Sequence, residues 1–342
     1  MPFYKNINVK NQAGRQTVEG LLRLRPALDE AIPAKKVDST LLLATWNIRE
    51  FGGNKYGGRD DEALYYIAEI LSRFDLIAVQ EIRDNLDALD RLMGILGSWW
   101  KYLVSDVTLG QQGNDERLAY IYDTRKLSFG GLAGELIPPA EKKDGKLLQP
   151  FAFARTPFLA GFRAGWFKFT ICTHHLYYGT DIADEPQRLA EAQQVLGLLR
   201  QRMHAKDRWA NNAIYVADMN VFTMEDETLK ALDKADFHIP KGLYGKYTNA
   251  KGDKPFDQMA FLAPDVERQM AVCNTGVFPF FNYVYRTQDL PQYPSAKDPK
   301  TYAEWRTFKM SDHLPIWAEL GIDFALDYLT RKVAPVVPSP TG

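Results

Sequence analysis

Cysteine is nearly missing from the sequence, and neither sign of charge is in excess. Cys172 and Cys273 are the only cysteines among 342 residues, so neither a disulfide framework nor a zinc motif is indicated. Lys and Arg total 42 and Asp and Glu total 43, which gives a formal net charge of -1. This balance excludes a protein that attracts nucleic acid through an overall positive charge. A polyanionic substrate would require a local basic patch or a metal ion.

Long apolar runs and targeting signals are missing as well. No apolar run reaches the ~18 residues that indicate a transmembrane helix. The first residues, MPFYKNINVKNQAGRQ, lack the apolar centre of a secretory signal. We therefore expect a cytoplasmic protein without a transmembrane segment. The sequence indicates no stable protein partner, so we also expect a monomer.

Short apolar segments alternate with amphipathic ones along most of the chain. Strands are predicted at residues 40–48, 75–82, 117–123, near 151–162, and at 166–176, 212–220, 256–262, 268–278 and 314–320. Helices are predicted at residues 60–74, 86–96, 185–202 and 225–235. This order predicts mixed β-sheets covered by helices, in one main domain over residues 40–322. We expect residues 1–39 to be an accessory segment with a helix, and residues 323–342 to be an extension whose proline-rich end is flexible.

Polar side chains stand at the ends of several predicted strands. These residues are Asn47, Glu81, His174, His175, Asp218, Asn220, Asp312 and His313. Because loops at strand ends hold side chains on a rigid frame, α/β proteins often build their sites there. Each residue alone has an ordinary alternative: Asn47 could form a turn, Glu81 could be the first solvated residue after a strand, and one of the paired histidines could simply be packed. The joint pattern favours a functional site.

Carboxylates, amides and imidazoles in this arrangement suit phosphoester hydrolysis. Oxygen ligands favour a hard cation such as Mg²⁺, whereas zinc is disfavoured because the adjacent His174 and His175 would point to opposite faces of a strand. A bound cation can stabilise charge on a phosphate oxygen. A histidine beside a carboxylate can take a proton from water near neutral pH.

Six short segments give the chain a resemblance to a known family. TWNIREF, VQEI, THHLYYG, VADMN, FDQMAF and SDHLPI occur here in the order found in the endonuclease/exonuclease/phosphatase family, over roughly residues 40–320. The resemblance implies a four-layer α/β/β/α sandwich, with two mixed β-sheets packed face to face and helices outside. It also implies hydrolysis of phosphoesters by an activated water with Mg²⁺, or with Mn²⁺ or Ca²⁺ in its place.

The family motifs also imply a role for each matching residue. Glu81 resembles the main metal carboxylate, with Asn47 and Asp312 in the metal shell. His313 resembles the general base, and Asp257 resembles the partner that orients it. The remaining matches are Asp218 and Asn220, which resemble the pair that positions the nucleophile and the phosphate, and His175, which resembles the second catalytic histidine.

Two positions depart from the family pattern. Arg49 stands where some nucleases carry an acid, so we expect it to contact phosphate instead of a second metal. Pancreatic-type deoxyribonucleases have an Arg-Glu pair before a strand like 117–123, with the Glu steadying the second histidine. Here the order is Glu116-Arg117. We expect Arg117 to bind substrate, with a surface ion pair to Glu116 or Asp115 as the alternative, and the partner of His175 stays open.

DNA is the expected substrate. Basic residues that could line a groove along a phosphate backbone are Arg117, Arg155, Arg163 and Lys168. Aromatic residues that could stack on bases are Trp99, Trp100, Tyr177 and Tyr178, with one ring of each pair packed in the core as the alternative. The competing substrate is a lipid such as sphingomyelin or a phosphoinositide, or a small phosphate ester. For that alternative, VFPFFNYVY at 277–285 would be an apolar loop that enters a bilayer.

Overall fold

The computed structural model describes residues 1–108, 114–140, 142–144, 146–147, 151–262, 270–296 and 298–333. The helices in this part of the chain are α1 (Gln12–Ala31), α2 (Asp61–Leu71), α3 (Asp87–Leu96), α4 (Pro186–His204), α5 (Glu227–Lys234), α6 (Pro299–Lys309) and α7 (Ala325–Val333). The strands are β1 (Thr40–Phe51), β2 (Leu76–Arg83), β3 (Trp100–Val104), β4 (Glu116–Asp123), β5 (Ser128–Glu135), β6 (Lys142–Lys143), β7 (Lys146–Leu147), β8 (Phe158–Ala164), β9 (Phe167–His175), β10 (Asn212–Asp218), β11 (Asp257–Leu262), β12 (Ala271–Val277) and β13 (Ile316–Gly321).

Two large β-sheets form the centre of the fold. The six strands of the first sheet follow the order β12-β13-β1-β2-β4-β3, and the five strands of the second follow β11-β10-β9-β8-β5. The pairs β1–β2 and β9–β10 are parallel, while their neighbours in each sheet pair antiparallel. Both sheets are therefore mixed, as the sequence predicted. The short strands β6 and β7 form a separate two-stranded ribbon.

Apolar side chains pack in three layers between and outside the sheets. Phe167, Phe169 and Ile171 of β9 lie in the core between the two sheets, whereas Cys172 packs in the layer that α4 and α5 cover. Helices α1 to α3 cover the outer face of the first sheet. The predicted four-layer sandwich is confirmed, and β9 is buried along nearly its whole length.

The parallel pairs place the functional residues at one edge of the sandwich. The carboxyl ends of β1 and β2 meet there, and the ladder is interrupted between Asn47 and Phe51 and between Val79 and Ile82. Glu81 adopts a left-handed backbone with φ 61° inside this interruption. A bulge of this kind re-aims a side chain, at a backbone cost of ~1–3 kcal/mol for a left-handed residue other than glycine. Gln80 beside it donates to Thr173 Oγ1 at 2.7 Å and so ties the two sheets together.

The structure differs from the sequence predictions at several elements. α6 begins with an N-capping Asp298 and buries Tyr302, Trp305 and Phe308, yet no helix was predicted there. The candidate bilayer loop of the lipid alternative is wrong, because the rings of Phe278 and Phe280 are buried against the first sheet. The expected flexible end of the chain falls on 334–342, outside the described residues. Among the described helices, none combines the length and apolarity needed to cross a membrane.

Candidate active site

His175 is held at the end of β9 by an acid from the other sheet. Its Nδ1 lies 2.8 Å from Oε2 of Glu116, the first residue of β4, so the ring donates its Nδ1 proton to that carboxylate. Arg155 donates to the same carboxylate at 3.1 and 3.3 Å. Burial alone would raise the pKa of Glu116, but His175 and Arg155 outweigh it and lower the pKa to about 2. Glu116 is therefore a charged, doubly anchored partner for His175.

His313 has a similar partner at the start of β11. Its Nδ1 lies 2.8 Å from Oδ2 of Asp257, whose backbone N–H donates to Thr248 Oγ1 at 2.9 Å. The backbone of His313 is fixed as well, because its N–H donates to Ser311 Oγ at 3.0 Å and its carbonyl accepts from the Trp46 indole at 2.9 Å. Burial opposes a charge on this ring, but Asp257 and Asp218 outweigh burial and raise the pKa of His313 well above its ordinary value.

Asp218 stands between the two histidines. Its Oδ2 lies 3.5 Å from Nε2 of His175 and 3.7 Å from Nε2 of His313. Asn220 lies two residues further on and has a left-handed backbone with φ 50°. Its backbone N–H donates to Asp218 Oδ1 at 3.1 Å, and its side-chain amide donates to the Leu176 carbonyl at 2.9 Å. Both imidazoles thus face one carboxylate oxygen with the nitrogen that their acid partners leave available.

Asn47 and Glu81 extend the cluster along the ends of β1 and β2. The Asn47 amide donates to Glu81 Oε1 and to Asp218 Oδ2, both at 2.8 Å. The Glu50 N–H donates to Glu81 Oε2 at 2.8 Å. Asn47 Oδ1 is buried and has no hydrogen-bond partner among the described residues. A chain of close contacts therefore connects Glu81 to His313 through Asn47 and Asp218.

This arrangement fits a hard divalent cation. The unpartnered Asn47 oxygen and the Glu81 carboxylate are oxygen ligands of the kind that Mg²⁺ prefers. One ligand atom each from Glu81, Glu116 and His175 also lies within 4.8 Å of the others, and the same holds for Asp218, Asp257 and His313. A metal role for Glu81 and Asn47 therefore stays a prediction.

Asp312 and Arg49 pair with each other beside this cluster. Arg49 Nη1 lies 3.3 Å from Asp312 Oδ2 and donates to Thr307 Oγ1 at 2.7 Å. The guanidinium also stacks 3.9 Å from the Phe308 ring centroid, so α6 fixes the position of Arg49. The Asp312 side chain is 42% exposed. A metal role for Asp312 and a phosphate contact for Arg49 stay predictions.

Arg117 contacts the two residues that follow β3. It donates to the Ser105 carbonyl at 2.9 Å and lies 3.6 Å from Asp106 Oδ1. The predicted surface pairing with Glu116 or Asp115 is therefore replaced by contacts with residues 105 and 106, and the substrate-binding role of Arg117 stays a prediction. Neither Glu116 nor Arg155 was predicted as a support for His175. The sequence feature that could have identified Glu116 was the Glu116-Arg117 pair. Its glutamate contacts His175 although the order of the two residues is reversed relative to pancreatic-type deoxyribonucleases.

His174 is a packed residue, which is the ordinary alternative that the sequence left open for one of the two histidines. It lies on the opposite face of β9, fully buried, and donates from Nε2 to the Arg155 carbonyl at 2.9 Å. Its Nδ1 accepts from the Tyr215 hydroxyl at 3.3 Å. Burial lowers the pKa of His174 to about 3, so the ring stays neutral. The adjacent histidines therefore differ in charge, face and surroundings.

Comparisons with known proteins agree with this fold. No protein-family model matches the chain. Deoxyribonuclease-1 from Homo sapiens is 32% identical over 120 residues, which cover 34% of this chain and 39% of that protein. The chain thus matches less than half the length of this relative. An endonuclease/exonuclease/phosphatase family protein from Bacteroides thetaiotaomicron has a TM-score of 0.56 at 18% identity, over 83% of this chain and 98% of that one. The human Nocturnin catalytic domain has a TM-score of 0.55 at 14% identity, over 83% and 95%.

The two mixed β-sheets with helices outside form the α/β sandwich that these solved structures share. The chain therefore has the fold of these endonuclease/exonuclease/phosphatase proteins, and about a third of its sequence is similar to deoxyribonuclease-1. The resemblance that its ordered motifs predicted is confirmed.

Proposed function

We propose that this protein hydrolyses phosphodiester bonds of DNA with an activated water and a divalent cation. One observation carries the proposal. Two imidazoles, each fixed at Nδ1 by an acid 2.8 Å away, direct their Nε2 atoms at the same oxygen of Asp218. A water and a phosphate group between these rings would meet a proton acceptor, a proton donor and a carboxylate together.

The acid partners determine which proton each ring can move. Asp257 holds the Nδ1 proton of His313, so Nε2 of the neutral ring can accept a proton from the attacking water. Asp218 can accept a hydrogen bond from that water and orient it. Glu116 likewise holds Nδ1 of His175, and Glu116 and Asp218 raise the pKa of His175 against the opposing effects of burial and Arg155. Protonated His175 can therefore donate from Nε2 to a phosphate oxygen.

Glu81 and Asn47 would hold the cation in this proposal. When bound, such an ion supplies positive charge that stabilises the developing charge on the phosphate. The Glu50 N–H and the Asn47 amide orient the Glu81 carboxylate, because each donates to a different carboxylate oxygen. The Asn47 amide also links this carboxylate to Asp218, so that the ion and the water-orienting acid share a rigid support.

DNA is proposed because of the relatives. The curated proteins that match the chain are named deoxyribonuclease-1, although the match covers only 39% of the human protein. The lipid alternative loses its supporting observation, because residues 278 and 280 of the expected bilayer loop are buried. The net charge of -1 leaves the affinity for the phosphate backbone to local groups and the ion.

Plasmid DNA provides the direct test. We expect the purified chain to nick supercoiled plasmid with Mg²⁺ or Mn²⁺ and to stop when the metal is chelated. Glu81→Gln keeps the size of the side chain but removes its charge, and should lose most of this activity. Glu30→Gln, at an exposed position of α1, is the matched control and should cut like the original chain. Nicking that persists in excess chelator, or turnover of sphingomyelin or phosphoinositides with DNA untouched, would contradict the proposal.

A further inference from the structure

Three aromatic side chains form a cluster beside the two histidines. The cluster consists of Tyr178, Phe222 and Phe256, which come from the loops after β9, after β10 and before β11. Tyr178 and Phe222 have ring centroids 5.8 Å apart at 50°, and Phe222 and Phe256 have centroids 5.5 Å apart at 79°. Tyr178 and Phe256 lie 6.4 Å apart at 72°. Because the rings meet at steep angles, they do not stack flat on one another.

The cluster is open to solvent on one side and supported on the other. Tyr178 is 39% exposed and Phe256 is half-buried, whereas Phe222 is buried at the base. Beneath Phe222 lies the guanidinium of Arg188, 5.2 Å from its ring centroid and fully buried. Arg188 donates to the Tyr178 carbonyl at 3.0 Å, and the Tyr178 hydroxyl bonds to Asp181. The exposed rings therefore have a fixed position rather than a loose surface arrangement.

The same cluster adjoins the reacting groups. Phe256 precedes Asp257 in the chain, and its ring centroid is 5.6 Å from that of His313. The Phe256 carbonyl accepts from the Met219 N–H at 2.9 Å, directly after Asp218. The ammonium group of Lys254 lies 5.0 Å from the Phe222 ring centroid and adds a positive charge to the rim. A phosphate held between the histidines would place its attached nucleoside against these rings.

We propose that the aromatic cluster is a subsite for one unstacked base next to the cleaved phosphate, so that the preferred substrate is unpaired DNA. This inference rests on the proposed function and names the form of DNA that the site takes. Aromatic rings accept the flat face of any base, which gives affinity without sequence specificity. A base in a duplex would first have to leave its stack, and an unpaired strand avoids that penalty. Lys254 would meet the backbone phosphate beyond this base.

Activity provides the first half of the test. We expect the original chain to cut a single-stranded oligonucleotide with higher kcat/KM than the same sequence in a perfect duplex. Tyr178→Ala and Phe256→Leu should each lower kcat/KM for the single strand about tenfold, the loss of one base-stacking contact. The matched control is Trp166→Ala. Trp166 is 70% exposed but precedes β9, at the end of that strand opposite His175, so its loss should have no effect.

Binding without turnover provides the second half and separates the two proposals. In chelator, we expect the chain to bind a labelled thymidine oligomer more tightly than a base-free oligomer with the same sugar-phosphate backbone. Tyr178→Ala should remove that difference, and Trp166→Ala should keep it. Equal binding of the two oligomers by the original chain, or duplex cleaved as fast as single strand, would overturn the subsite. A chain that cuts no DNA but still discriminates the two oligomers would overturn the proposed function and keep the subsite.

Discussion

His175 and His313 have nearly the same geometry but different electrostatic surroundings. Both bind an acid through Nδ1 at 2.8 Å and face Asp218 through Nε2. The acid of His175 is shared with Arg155, which opposes a positive charge on that ring. The acid of His313 has a second buried oxygen, Asp257 Oδ1, without a partner among the residues that the structure describes. Burial raises the pKa of Asp257, against the effect of His313.

This difference indicates how two similar rings can take different roles. His313 contacts the carboxylates of Asp257 and Asp218, and neither contact includes a positively charged side chain like Arg155 beside His175. His313 is therefore the stronger base of the two. A stronger base takes a proton from water more readily once it has lost its own. His175 shares its acid with a cation, which suits a ring that holds its proton and donates it to phosphate. The following predictions test whether the two rings differ in this way.

Removal of His313 should have the largest effect. His313→Ala eliminates the proposed proton acceptor, and we expect kcat/KM on DNA to fall by roughly 10²–10⁴-fold, the usual contribution of a general base. His238→Ala is the matched control, since its side chain is 74% exposed and contacts Asp233 at the surface. Circular dichroism should show an unchanged fold for both variants. A His313 variant that retains near-normal kcat/KM would remove this ring from the mechanism.

Asp257→Asn should have the next largest effect. The change keeps the shape of the side chain but removes the charge that raises the pKa of His313. We expect a loss of roughly 10- to 100-fold, typical of a residue that orients a functional histidine. Because His313 must be neutral to act, kcat/KM should increase with pH through its raised pKa. In the variant this increase should move to lower pH. If the increase stays at the same pH, a group other than His313 causes it.

Glu116→Gln should have a smaller effect on the rate and act on the other limb of the pH profile. Loss of the Glu116 charge lowers the pKa of His175, which must keep its proton to donate to phosphate. The decrease of kcat/KM at high pH should therefore begin at lower pH in the variant. We expect a smaller rate loss than in Asp257→Asn, because Arg155 already offsets part of the effect of Glu116 on the pKa of His175 in the original chain. If Glu116→Gln instead shifts the increase of kcat/KM at low pH, His175 would be the proton acceptor and His313 the proton donor.

His174→Gln should have the smallest effect on activity. The neutral His174 ring hydrogen-bonds to the Arg155 carbonyl and the Tyr215 hydroxyl and packs edge-on against the Phe153 ring. We expect nearly unchanged kcat/KM and a stability loss of about 1 kcal/mol, the usual value of one buried hydrogen bond. Thermal unfolding and plasmid nicking of the same preparation provide both measurements. A large activity loss at unchanged stability would contradict a purely packing role for this histidine.

The sequence predicted most of the strands because they are short and buried on both faces. The segment 212–220 is one example, and the structure has β10 at Asn212–Asp218. β5 was missed, since its sequence SFGGLAGE is glycine-rich, exposed along most of its length and without an apolar alternation. α6 was missed although Asp298 and Pro299 are ordinary start signals for a helix. Its three large aromatic residues at intervals of three were the available evidence.

The sequence indicated which residues could form the candidate site, but it did not indicate which of them contact one another. The sequence shows that Glu116 begins a strand, but the partner of that carboxylate depends on how β4 packs across from β9. Such long-range register cannot be read from local periodicity. Phe222 and Phe256 were not predicted for the same reason, since they approach each other only when the loops around β10 and β11 come together.

Helix α1 gives a practical consequence for work with this protein. Leu24 and Leu28 of that helix are completely buried, and Gly20 allows the hydroxyl of Tyr66 to approach so closely that a methyl group would collide with it. An expression clone that starts at Thr40 would leave the matching surface of α2 uncovered. Such a truncated preparation should be recovered mainly from inclusion bodies, even though every proposed catalytic side chain would still be encoded.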